Sequence, residues 1–86
     1  MQIFYSRIAA KVIESLDKSV RQRLKMGIEG LTKAPPVGDI KMMQGFNPPI
    51  YRLRIGKYCI LYEYAHLDGE QFLLIKDIGS REDIYK

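Results

Sequence analysis

The sequence predicts an α+β fold: an N-terminal strand, a helical hairpin, then an antiparallel β-meander with the helices packed on one sheet face. Three observations predict it. Apolar residues recur at helical spacing between Ile8 and Leu31 and then stop doing so. The run "APP" at 34–36 marks the change, because proline lacks the backbone donor and restricts the residue before it. Beyond it come β-prone runs separated by glycine-containing turn signals.

Taken in order, Gln2 to Tyr5 is short, apolar and β-prone, which predicts the first strand. Ser6 can cap a helix whose apolar positions are Ile8, Ala9, Val12, Ile13 and Leu16. Asp17 is placed to cap a second helix, with Val20, Leu24, Ile28 and Leu31 on one face. Gly27 falls close to that face, where a helix-interior glycine costs about 1 kcal/mol relative to alanine. Close approach of the two helices is one reason to keep it. "VGDIKMMQGFNPP" reads as an extended connection punctuated by glycine and proline. Strands are then expected at Ile50 to Ile55, Tyr58 to Tyr64 and Gln71 to Ile78. Gly56-Lys57 makes a tight connection between the first two, and Asp68-Gly69 is a hairpin signal between the second and third.

Alternation assigns the faces. With Gly56-Lys57 as a two-residue loop, Arg54 lies opposite Cys59 and Arg52 opposite Leu61. Tyr51, Leu53, Ile55, Ile60 and Tyr62 then share the side expected to carry the helices. Arg52 and Arg54 share the other side with Cys59 and Leu61, and a tight turn at Asp68-Gly69 adds Leu74. Arginines interleaved with apolar residues fit a binding surface. They equally fit a sheet face partly covered by the C-terminal tail, with its charges in water.

At 86 residues, the expectation is a single domain over 1–86, near the lower end of what buries its own core. Apolar residues make up 47% of the chain, enough to fold, with stability open to increase by a bound partner. Fourteen Lys and Arg against ten Asp and Glu leave a charge of +4, which suits anionic partners such as nucleic acid or plain solubility. One cysteine excludes an internal disulfide and suits a reducing cytoplasm. "MQIFYSRIAAK" lacks the pattern of a signal peptide, and no stretch approaches the roughly 20 apolar residues of a membrane span. His66 and Cys59, the single histidine and thiol, lie in different contexts, so neither a metal nor a cofactor is expected.

"YRLRIGKYCILYEY" at 51–64, the closing "IGSREDIY" and the preceding helical hairpin together resemble the RelE/ParE superfamily of bacterial toxins. The resemblance covers nearly the whole chain in order and spacing. It implies a toxin held inactive by a cognate protein antitoxin. In the RelE branch the toxin cleaves messenger RNA in the ribosomal A site; in the ParE branch it poisons DNA gyrase without nuclease chemistry. The RelE-like site implied here is Arg52, Arg54, Arg81 and Tyr85. Cys59 departs from it, standing where strongly active members often have another arginine.

RNA carries its own nucleophile, the 2′-hydroxyl. An enzyme has to align that oxygen, remove its proton and stabilise the extra charge of the transition state. Arginine is always charged and donates paired hydrogen bonds to phosphate, so Arg52, Arg54 and Arg81 can form a clamp. Tyr85 is the candidate base, with an unperturbed pKa of about 10 that neighbouring cations must lower. Plainer roles exist for each: Arg52 pairing with Glu63, Arg81 a solvated tail charge, Tyr85 an aromatic anchor. Cys59 reads as a small, partly buried residue, since no histidine is placed to activate it. The expected function is a metal-independent, ribosome-dependent mRNA endoribonuclease in the cytoplasm, without membrane contact. The alternatives are a ParE-like gyrase inhibitor and a catalytically silent homologue that binds antitoxin.

Overall fold

Helical spacing and β alternation divide the chain where the sequence places the change. The computed structural model describes residues 1–80. They form β1 (Gln2–Tyr5), α1 (Arg7–Ser15), α2 (Lys18–Gly30), β2 (Asp39–Met43), β3 (Ile50–Ile55), β4 (Tyr58–Leu67) and β5 (Glu70–Ser80). The strands make one mixed sheet in the order β1-β5-β4-β3-β2. β1 runs parallel to β5, and every other pairing is antiparallel.

The meander follows from its turns. Gly56 has φ of +58° at the first loop position, the geometry a type II′ hairpin assigns to glycine. Asp68 and Gly69 have φ of +53° and +82°, the two positive values of a type I′ turn. These loops fix the expected register, with Arg54 opposite Cys59, Arg52 opposite Leu61 and Glu63 opposite Leu74. Both later strands run longer than their apolar stretches, to Leu67 and to Ser80.

β5 also departs from simple alternation. Tyr62 pairs with Ile75 while Leu61 pairs with Asp77, so Lys76 is an extra residue in a β-bulge. The bulge lets Ile75 and Ile78, three apart, both face the helices, and it turns Asp77 to the arginine side. β1 is fastened alongside by Ser6. Its Oγ accepts the Ala9 N–H at 3.1 Å as the α1 cap and donates to the Lys76 carbonyl at 2.6 Å.

The core lies between helices and sheet. It contains Ala9 and Ile13 of α1, Leu24 and Ile28 of α2, Leu31, and Leu53, Ile60, Tyr62, Leu73, Ile75 and Ile78 of the sheet. Each fully buried aliphatic side chain contributes about 1.5–3 kcal/mol relative to exposure. Tyr62 stacks on Tyr51 at 5.5 Å and meets Tyr64 edge-on at 5.7 Å. The Tyr64 hydroxyl donates to the Leu31 carbonyl at 2.7 Å, tying β4 to the end of α2.

Four expectations need correction. Residues 39–43 are not an irregular connection but an edge strand, whose Ile40 packs on the core while Met42 is exposed. Ile8 leaves the apolar face of α1 and is 62% exposed. Asp17 stands at the N-cap of α2, yet its side chain makes no capping bond; its carbonyl accepts from the Arg21 N–H. The close approach at Gly27 is to the sheet: a Cβ there would collide with Ile55 Cδ1 and lie 3.7 Å from Leu53 Cδ2. α2 itself ends at Gly30, before the prolines, where the Val37 N–H donates to the Gly30 carbonyl at 3.0 Å. Among the described residues, no helix is long and apolar enough to cross a membrane.

Candidate phosphate-binding site

The helix-free face of the sheet takes its character from residues that alternate with the core. Across β2, β3, β4 and β5 one row reads Lys41, Arg52, Leu61, Asp77, and the next reads Asp39, Arg54, Cys59, Gly79 in its order of pairing. β3 is an interior strand of the sheet, so its arginines are flanked on both sides.

That position buries Arg52, which is only 5% exposed. Its charge does not point into water as a solvated face would require. Its Nη1 lies 3.7 Å from Asp39 Oδ1, beyond hydrogen-bond length. Among the described residues, Nε and Nη1 of Arg52 and Nε of half-buried Arg54 are buried without hydrogen-bond partners. A buried cation with unmade donors is costly; Nε of Arg21 on α2 shares that state.

The expected pairing of Arg52 with Glu63 is replaced. Glu63 lies 3.6 Å from Lys76, the bulge residue, and Arg52 has Asp39 instead. Asp39 is the neighbour that sequence reasoning missed: nothing in its spacing shows that β2 will lie beside β3. Cys59 is fully buried, not partly so, which makes it a packing position beside Arg54. Arg81 and Tyr85 lie outside the described residues.

Three described tyrosines are held away from the phenolate form. Burial, reinforced by neighbouring Tyr64 and Tyr51, pushes the Tyr62 hydroxyl far above its usual range. Burial likewise raises Tyr64 and Tyr5. These groups face the core or its edge, and desolvation opposes ionisation there. Among the described residues there is no group of three or more His, Cys, Asp or Glu placed to hold a metal ion. A shallow depression between Phe4, Phe72, Met1 and Leu67 lies at the β1–β5 end of the sheet, away from the arginines.

Chemically, the arrangement presents two guanidinium groups from one strand on a partly apolar surface. It can bind a phosphodiester and stabilise added negative charge on it.

The family model for the ParE toxin of the type II toxin–antitoxin system parDE matches residues 3–85. In fold, the chain is similar to one in the RelE–RelB complex of Pyrococcus horikoshii OT3, with a TM-score of 0.71 and 21% identity over 93% of each chain. It is also similar to one in the RelB–RelE antitoxin–toxin complex of Methanococcus jannaschii. There the TM-score is 0.69 and the identity 24%, over 95% of this chain and 94% of that one. No curated protein matches the chain significantly.

Proposed function

The chain belongs to the ParE toxin family of type II toxin–antitoxin systems, and from its arginine pair we propose that it is a ribosome-dependent endoribonuclease acting on messenger RNA. The observation that carries this reading is Arg52, a buried guanidinium with two nitrogens that make no hydrogen bond, beside Arg54 on the helix-free sheet face. A phosphodiester offers acceptors suited to a pair of guanidinium groups.

In this mechanism the backbone phosphate sits against Arg52 and Arg54, and the 2′-oxygen attacks phosphorus in line with the departing 5′-oxygen. The guanidinium groups neutralise charge that grows on the non-bridging oxygens. Arg81 is the third member of the clamp. Tyr85, acting as phenolate, accepts the 2′-hydroxyl proton; the 2′-oxygen closes on phosphorus to a 2′,3′-cyclic phosphate, and the departing 5′-oxygen takes its proton from water. β5 reaches the Arg54 row at Gly79, which pairs with Cys59. Cys59 supplies neither cation nor acid, so binding strength rests on the remaining arginines. Chain 1–86 acts as one domain in the cytoplasm, and a protein antitoxin silences it, as the RelE–RelB complexes suggest.

The family model itself favours a second reading, inhibition of DNA gyrase. Primer extension on messenger RNA from cells induced to make the protein separates the two. New cuts within coding regions support the endoribonuclease; intact messages with trapped gyrase–DNA complexes support the gyrase inhibitor.

A further inference from the structure

We infer that Asp39 is an internal anion that competes with phosphate for Arg52 and Arg54, and so sets how tightly the site holds its ligand. This rests on the reading of those arginines as a phosphate clamp. β2 places the Asp39 backbone opposite Arg54, and the Asp39 carboxylate lies 3.7 Å from Arg52 Nη1. It is thus a negative charge beside the guanidinium, too far away to satisfy the donor.

The two partners are unequally held. Arg52 is buried and has nowhere to go, whereas the Asp39 side chain is 60% exposed and can swing into water at little cost. A charge contact of that length to an exposed partner adds little to stability, so ordering Arg52 is not its main effect. The other described carboxylates on this face are engaged elsewhere. Glu63 faces Lys76, and Asp77 Oδ1 accepts the Ile78 N–H at 2.8 Å. Asp77 lies a strand further off, beyond Leu61 in the Arg52 row, so among the described residues Asp39, at 3.7 Å, is the carboxylate that contacts Arg52.

The test is fluorescence anisotropy with a single-stranded 2′-O-methyl oligoribonucleotide, which has the phosphates but no free nucleophile. Asp39→Asn should bind about three- to fivefold more tightly than wild type at low salt, the upper range for an exposed charge pair. Its unfolding midpoint should not change. Glu29→Gln makes the same charge change on exposed α2 and should bind as wild type does. Equal gains in the two variants would reduce the effect to net charge and overturn the inference. Weaker binding by Asp39→Asn with a lowered midpoint would also overturn it, by showing that Asp39 orders Arg52. Arg54→Ala reports on the premise: lost binding upholds the clamp, and unchanged binding removes the clamp and this inference with it.

Discussion

Arg52 sets function against stability within one side chain. Its guanidinium is withdrawn from water, has unmade donors, and faces a carboxylate at 3.7 Å. Exchanging a buried ion pair for apolar side chains is often neutral or stabilising by about 1–4 kcal/mol, and the partner left behind here, Asp39, is exposed to water. Arg52→Met should therefore keep or raise the unfolding midpoint while binding of the oligonucleotide is lost; a variant that unfolds instead would make the arginine structural. Tyr62 gives the pH dependence. Its folded pKa is raised above the unfolded value of 10.0, so between the two the unfolded chain has released a proton that the folded chain keeps. Stability must then fall as pH rises above about 10, and Tyr62→Phe should flatten that fall in thermal melts from pH 9 to 11. The arginine register was legible in the sequence, because a two-residue turn at Gly56-Lys57 fixes it locally. Asp39 was not, because its place beside Arg52 depends on a pairing across the intervening loop.

Among the elements, the helices, β1 and the two hairpins were readable from period and turn chemistry. β2 was not: its sequence has weak alternation between glycines, and an edge strand takes much of its reason to exist from its neighbour. The bulge at Lys76 was equally hidden, since an extra residue breaks the period that alternation relies on. Gly27 was noticed, but the surface it approaches was misassigned, because a glycine shows that something is near without showing what. Contact with Ile55 gives that position a graded prediction. In Gly27→Ala, a helix-propensity gain of about 1 kcal/mol offsets rotation of the flexible Ile55 Cδ1, so the midpoint should hardly move. Gly27→Leu overpacks the α2–β3 contact and should cost about 1–3 kcal/mol in denaturant unfolding. Equal stability of all three proteins would show that α2 does not rest on β3 as closely as the structure has it.

For the whole molecule, the division of labour follows from a sheet covered by helices on one face only. The helical face carries the aliphatic and tyrosine core, and the opposite face holds Arg52 and Arg54 on an interior strand that fixes their positions. The family relation and the fold agree with what motif order implied. The proposed chemistry depends on the clamp and on Arg81 and Tyr85, which lie outside the described residues. Cleavage of a defined message on purified, programmed ribosomes tests that most directly, with wild type and Arg54→Ala compared at matched concentration and folding checked by circular dichroism. Loss of one donor aimed at developing charge costs on the order of 10²–10³ in rate. Wild type should cut within the ribosome-bound coding sequence, and Arg54→Ala should cut slower by about that factor. A folded wild-type protein that leaves the message intact on ribosomes, yet traps gyrase on DNA, would contradict the account.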